Sequence, residues 1–242
     1  MGRPLAFTRM PTKQAPLVSV VMPTYNRPKF VRHAFEMFKA QTYPCKELIL
    51  IDDGNIPAPI IEAPNVKTIR IDQHITLGEK HNIGTAKAQG EYIVHWDDDD
   101  YFSPGRLGIQ IEPIALGQCD FTGILMDYIL TVPDCRFLRW KRGFPRGGEP
   151  VNFAGHDGTM AYHRKWWDMG ARYAPIMVGE KVEFIHAAQL LGAKVQPLGN
   201  RGNFVYIRHS KNSWDFPLHW LAEVKRPVFF PENELAFYRG AA

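Results

Sequence analysis

The 242-residue sequence predicts an α/β fold: one domain on a mostly parallel, Rossmann-like sheet flanked by helices, with a mixed C-terminal half. Two observations predict it. Apolar, β-branched runs of strand length alternate with segments of helical periodicity over the first 110 residues, and that order makes a parallel sheet with helices on its faces. Polar and acidic clusters stand directly after three of those runs, where ligands collect in open sheets of this kind.

Residues 1–16 are Pro-rich and aperiodic and read as a flexible arm. Residues 17–22 (LVSVVM) form an apolar run suited to a strand buried on both faces. The stretch PKFVRHAFEMFKAQT places Phe30, Ala34 and Phe38, with Val31 and Phe35, at helical spacing, and Pro28 suits a first turn. A strand ELILID follows, then a strand VKTIRI, a helix over EKHNIGTAKAQ closed by Gly90, and a strand YIVHW. Beyond Leu107 the pattern predicts a helix near 105–116, a strand near 120–130, a helix starting near Arg164 and an amphipathic helix near 181–191. The last fifty residues carry little periodicity.

Composition excludes several classes. Hydrophobic residues make up 45% of the chain, enough for a full core. No stretch approaches the roughly 18–20 apolar residues of a membrane helix, so a soluble, cytoplasmic protein without an integral membrane segment is expected. Cys45, Cys119 and Cys135 are an odd count without a C-x-x-C pair, against a disulfide framework or a thiolate zinc site. The net charge of +4 is too mild to imply a dedicated nucleic-acid binder. The segment CRFLRWKRGFPRGG nevertheless concentrates Arg136, Arg139, Lys141, Arg142 and Arg146 among Phe137, Trp140 and Phe144, a surface for an anionic or ring-shaped partner.

The chemistry concentrates at strand ends. Four consecutive aspartates, Asp97 to Asp100, repel one another and call for a cation; hard carboxylate oxygens suit Mg²⁺ or Mn²⁺. A solvated acidic turn capping the next helix is the structural alternative, but Ser103 and Pro104 already supply a cap and a first-turn residue. Asp52 and Asp53 could accept hydrogen bonds from a ribose or a base, although taken alone an Asp-Gly turn explains them better. PTYNR offers Thr24, Tyr25 and Arg27 for hydrogen bonding, base stacking and phosphate charge.

These three strand ends together resemble the nucleotide-binding half of family 2 glycosyltransferases of the GT-A fold. The resemblance runs closely over residues 17–110 and more weakly through GTMAYHRKWW, VGEKVEFI and YIRHSKNSW to about 215. It implies a nucleotide-sugar-binding half over 17–110, an acceptor-binding and catalytic half over 111–215, and a C-terminal extension over 216–242. It further implies a donor that is a nucleoside diphosphate sugar, UDP-linked most often in the family, and a saccharide or other hydroxyl acceptor. Pro23, Thr24, Tyr25 and Asp53 would line the base and ribose pocket, with Arg27 and Lys80 near the pyrophosphate. Asp97 would lead the D-x-D pattern, Asp98 would reach the ribose or sugar, Asp99 would be the main metal ligand, and Asp100 would support it. His209 matches a further metal ligand of many members, and a neutral imidazole suits Mn²⁺.

The resemblance breaks at the catalytic base. Inverting members place an aspartate, often in a Glu-Asp pair, where this sequence has Glu180-Lys181. A protonated lysine cannot accept a proton. Glu180, then Glu183, are therefore the candidate bases, although both also suit any helix N-terminus. A retaining enzyme without such a base is the other option. In NFAGHDGTMAYHRKWW, Gly155 and Gly158 allow close backbone approach, while His156 and Asp157 could bind acceptor hydroxyls or phosphate, as could Trp140. Trp166 and Trp167 read as core. A nucleotidyltransferase would want a Gly-rich phosphate loop that MPTYNRPKF does not supply; a nucleic-acid or anionic-polymer binding protein using residues 136–146 is the second rival.

Overall fold

The computed structural model describes residues 15–132, 134–141, 155–210, 212 and 216–241. The predicted alternation forms β1 (Val18–Thr24), α1 (Pro28–Lys39), β2 (Lys46–Asp52), β3 (Val66–Arg70), α2 (Leu77–Lys87) and β4 (Tyr92–His95). Then come β5 (Tyr101–Phe102), α3 (Arg106–Ala115), β6 (Phe121–Ile124), β7 (Ile129–Thr131), β8 (Arg136–Trp140), β9 (Ala161–His163), α4 (Lys165–Asp168) and α5 (Glu180–Leu190). The chain continues through β10 (Val195–Leu198), β11 (Phe204–Arg208), β12 (Leu221–Val224) and α6 (Glu232–Ala241).

A seven-stranded sheet in the order β10-β6-β9-β4-β1-β2-β3 carries the core, parallel except where β9 runs antiparallel to β4 and β6. Its central strands β1 and β4 are buried along their whole length because both faces are covered, while the edge strands β3 and β10 are partly exposed. On β1, Val18, Val20 and Met22 join one apolar cluster and Val21 joins the other, as a period of two requires. Helix α1 buries Val31, Ala34, Met37 and Phe38 on one stripe. Phe30 and Phe35 are only partly buried against that cluster. A second sheet, β12-β8-β7-β11-β5, stands beside the first.

The structure corrects several local expectations. The strand expected near 120–130 is two strands, β6 and β7, which belong to different sheets. Ser103 does not cap α3; Gly105 holds the cap position, and the Ser103 hydroxyl donates to Asn203 Oδ1 at 2.8 Å. The last residues are better ordered than their weak periodicity implied, since Phe230, Leu235 and Tyr238 are buried in the larger apolar cluster. On β8, Arg136 and Arg139 are exposed while Phe137 and Trp140 are buried, Trp140 packing against Phe216 and Trp220. The expected interleaved basic and aromatic surface is thus divided between solvent and core, and Trp140 is a core residue rather than an acceptor contact. Arg142, Phe144 and Arg146 lie outside the described residues, as do residues 1–14 of the expected arm. Among the described residues, no helix is long and apolar enough to cross a membrane.

Candidate active site

The carboxyl ends of β1, β2 and β4 meet along one edge of the large sheet. There a cavity of about 480 Å³ is lined by Pro23, Thr24, Tyr25, Asn26, Arg27, His74, Leu77, Lys80, Asp98 and Met177. Of the residues expected to hold a nucleotide, Pro23, Thr24, Tyr25, Arg27, Lys80 and Asp98 therefore share one wall.

Asp53 backs that wall. Its carboxylate pairs with Lys80, whose ammonium also donates to the Thr24 carbonyl at 3.1 Å, and it accepts from His74 Nδ1 at 2.8 Å and the Ile75 amide at 2.9 Å. The His74 ring in turn lies 4.2 Å from that of Tyr25. Asp52 has a different role from the one expected. Its two oxygens accept from the Gly54 and Ala58 amides and from Arg70, so it ties the β2 loop together and does not line the cavity.

The aspartate run diverges residue by residue. Asp98 accepts from the Thr24 hydroxyl at 2.5 Å and from Arg27 at 2.9 Å. Asp99 Oδ2 accepts from Arg27 at 2.6 Å and lies 2.9 Å from His209 Nε2. Asp100 Oδ1 accepts from the Ile207 amide at 2.8 Å, while its Oδ2 is buried with no hydrogen-bond partner among the described residues. That bond holds β11 next to β5, and β11 delivers His209. Phe30 stacks on the His209 ring.

Charge follows this geometry. Burial, reinforced by Asp99, pushes the Asp98 carboxyl up to about 6 against the pull of Arg27. Burial also acts on Asp99, but Arg27 and His209 outweigh it and hold that carboxyl below the usual range. Burial and the neighbouring Asp99 and Asp97 push Asp100 well above it. For Arg27, burial opposes the charge, yet the three carboxylates keep the guanidinium firmly protonated.

On the far side of the run, ligand atoms of Asp97, Asp100 and His156 lie within 4.8 Å of one another. The backbone explains the closeness. A Cβ on Gly155 would collide with the Gly123 backbone, so that position requires glycine, and one on Gly158 would displace the Asp97 carboxylate. Asp157 opens a 3-10 turn over Asp157–Thr159, and its side chain is 47% exposed.

The expected bases are placed less favourably. Glu180 is 1% exposed at the N-terminus of α5. Its Oε1 lies 3.9 Å from His81 Nε2 and 3.4 Å from Lys181 Nζ. The Glu180 side chain packs under α2, where a Cβ on Gly78 would come within 3.1 Å of it. Glu183, one turn on, is exposed. Lys181 is buried, and although burial opposes its charge, Asp157, Asp97 and Glu180 keep it protonated.

Sequence reasoning missed His74, Asn26, Leu77 and Met177 in the cavity wall. His74 was within its reach, because it follows β3 and the rule applied to the other strand ends extends to that one. Met177 was not, because residues 174–179 carry no periodicity. A buried chain beneath the site also went unread: His81 and His95 stack 4.0 Å apart, His95 bonds Tyr173 at 2.8 Å, and Tyr173 bonds Tyr162 at 2.8 Å.

Comparisons with known proteins agree with this architecture. A glycosyltransferase of Haemophilus influenzae, itself uncharacterized, is 35% identical over 103 residues, covering 40% of this chain and 41% of its own. The first of the similar solved structures is Staphylococcus aureus TarS 1–349 in complex with UDP-GlcNAc, at a TM-score of 0.63 and 18% identity over 81% of this chain and 59% of that one. The mannosyltransferase PcManGT of Pyrobaculum calidifontis, in complex with GDP-Man and Mn²⁺, follows at 0.59 and 13% over 81% and 57%. These structures share the GT-A fold with this chain. The chain spans less than half of its Haemophilus relative and under two thirds of the TarS fragment. The Glycosyl transferase family 2 model matches residues 19–165, and on that match, with the fold that accompanies it, this chain belongs to glycosyl transferase family 2.

Proposed function

We propose that this chain transfers a sugar from a nucleoside diphosphate sugar, UDP-linked as the first choice, to an acceptor hydroxyl, with a divalent cation and inversion at the anomeric carbon. The observation that carries the reading is Asp98. It lines the cavity that suits a nucleotide and shares Arg27 with Asp99, so the cavity wall continues into the aspartate run that suits a cation. Similar structures hold UDP-GlcNAc, or GDP-Man with Mn²⁺, in those other proteins.

In this reading Tyr25 and His74 offer ring faces for the base, with Pro23 and Thr24 beside them. Lys80 and Arg27 supply positive charge for the diphosphate. Asp53 orients Lys80 and His74, a supporting role that replaces direct contact with the ribose. The aspartate run and its histidines fit a hard divalent ion, because carboxylates and imidazoles are the donors and Asp100 Oδ2 is buried with no hydrogen-bond partner among the described residues. Asp97 would hold it either with Asp100 and His156, whose ligand atoms lie within 4.8 Å of one another, or with the sequence-expected Asp99 and His209, which pair at 2.9 Å on the other side of the run, and a bound Mn²⁺ or Mg²⁺ would supply charge neutralisation for the departing diphosphate. The Arg27 guanidinium bridges Asp98 and Asp99 in the structure, so it balances the same carboxylates. The acceptor enters on the side of His156 and Asp157.

A thermal-shift and hydrolysis screen of UDP-, GDP- and dTDP-sugars with and without Mn²⁺ tests the reading. It is supported by a donor that raises the melting temperature and releases its nucleoside diphosphate only with the metal. Stabilisation above about 2 kcal/mol requires ligand far above its dissociation constant, so the screen uses saturating donor. A panel without any shift or release contradicts it.

A further inference from the structure

Backbone pairing brings His209 to Asp99 but does not set the plane of its ring. The second torsion of a histidine side chain is broad, so its neighbours decide which way the imidazole edge faces. The 2.9 Å approach of His209 Nε2 to Asp99 Oδ2 needs one ring plane. The face of that ring lies against Phe30, with centroids 5.2 Å apart and planes 19° from parallel. Phe30 is held in turn from the C-terminal helix, where Phe237 of α6 meets its ring edge to face at 6.0 Å and 80°. Resting on the transferase reading above, with His209 and Asp99 in the cation set, we infer that Phe30 is the positioning residue of His209 and that α6 is the clasp that keeps it in place.

The clasp is built from two helical pairs. Phe30 and His33 stand three apart on α1, and Glu234 and Phe237 stand three apart on α6, so each pair shares one helix face. The two faces interlock. His33 stacks on Phe237 at 3.6 Å and 11°, its Nε2 lies 2.6 Å from Glu234 Oε2, and its ring meets that of Tyr238 edge-on at 5.6 Å. Leu235 and Tyr238, buried in the larger apolar cluster, anchor α6 itself.

Contacts thus run without a break from Glu234 and His33 through Phe237 and Phe30 to His209 and Asp99. Offset-stacked and edge-to-face rings at these separations hold preferred mutual planes. Groups behind a metal ligand orient it and tune its affinity. Phe30 lies within residues 19–165 matched by the family model, whereas α6 lies beyond them. The C-terminal extension therefore supports the site from outside the matched region.

The test uses the full chain with Mn²⁺ alone as the probe, titrated by electron paramagnetic resonance. The His209 ring protons are followed by nuclear magnetic resonance in the metal-free protein and assigned by their loss in His209→Ala. Phe30→Leu keeps an apolar side chain but no flat face. It is expected to weaken Mn²⁺ binding about 10-fold, with Phe30→Tyr within about twofold of the wild type and His209→Ala at least as weak as Phe30→Leu. Loss of the stacked ring should also shift the His209 ring resonances downfield. Phe237→Leu should weaken binding in the wild-type background and add nothing to Phe30→Leu, because α6 acts through Phe30; two independent packing losses would add. Circular dichroism checks the fold of each variant, and Phe30→Met replaces Phe30→Leu if the latter does not fold. Mn²⁺ binding that falls with His209→Ala but not with Phe30→Leu overturns the assignment alone, as do unmoved His209 resonances or additive effects of the two leucine substitutions. A wild type that binds no Mn²⁺, or whose binding ignores both His209→Ala and Asp99→Ala, removes the cation reading at His209 and the assignment with it.

Discussion

The His209 imidazole lies 2.9 Å from the Asp99 carboxylate, joining residues 110 positions apart. The contact is built by pairing. Asp100 takes the Ile207 amide, β11 runs antiparallel to β5 directly after the aspartates, and the chain leaving β11 carries His209 across. The His209 amide then donates to Asn212 Oδ1 at 2.5 Å, which closes the turn. His209→Ala removes one donor from the proposed cation set while leaving this backbone pairing intact. Mn²⁺ binding, followed by electron paramagnetic resonance titration, is expected to weaken by about 10-fold or more, with the far-ultraviolet circular dichroism unchanged.

Gly158 and Asp97 form a second such relationship, this one steric. Gly158→Ala forces the Asp97 carboxylate to move, because no Cβ fits against its Oδ2. The cost in stability is expected at about 1–3 kcal/mol, the usual range for overpacking. Donor hydrolysis should fall by more than the loss of folded protein explains. Equal activity per folded molecule would show that Asp97 has no part in the reaction.

The stacked imidazoles of His81 and His95 predict a pH dependence of stability. Burial, then the charges around them, depress both well below the ordinary histidine range, so both are neutral when folded. The unfolded chain binds protons at these positions below about pH 6.5 and the folded chain does not, so stability is full above that pH and falls as pH drops. Each site contributes a slope of about 1.4 kcal/mol per pH unit below the unfolded value, until its folded pKa is reached. Urea denaturation at pH 7.5, 6.5 and 5.5 measures it. His81→Asn combined with His95→Asn should flatten the dependence even if it lowers the stability itself.

The parallel half of the fold was legible because its strands are buried on both faces, which writes itself as uninterrupted runs such as ELILID. The site residues on those strands were legible for a related reason: open sheets gather ligands at carboxyl ends, and Thr24, Tyr25, Arg27 and Asp98 all stand there. The second sheet was not, because its strands are three to five residues long or shorter and pair residues distant in sequence, as β5 with β11. Arg136 to Trp140 shows the same limit. The run reads as a basic aromatic surface, and only its pairing with β7 and β12 shows that Phe137 and Trp140 face the core. The surroundings of the candidate bases were not legible either. Glu180 and Glu183 occupy the expected stretch of sequence, but local pattern does not report that Glu180 is enclosed while Glu183 is exposed.

The central claim is that one cavity holds a nucleotide sugar and a cation together, and Asp99 tests it most directly. Calorimetric titration of UDP-GlcNAc and GDP-mannose into the wild type and Asp99→Ala, each with Mn²⁺ and with EDTA, measures the coupling. The expected result is binding of at least one donor by the wild type with Mn²⁺, weakened about 10-fold or more, or roughly 1.4 kcal/mol, by EDTA or by the substitution. Absence of binding by the wild type, or binding equally tight with and without Mn²⁺ and Asp99, would contradict it.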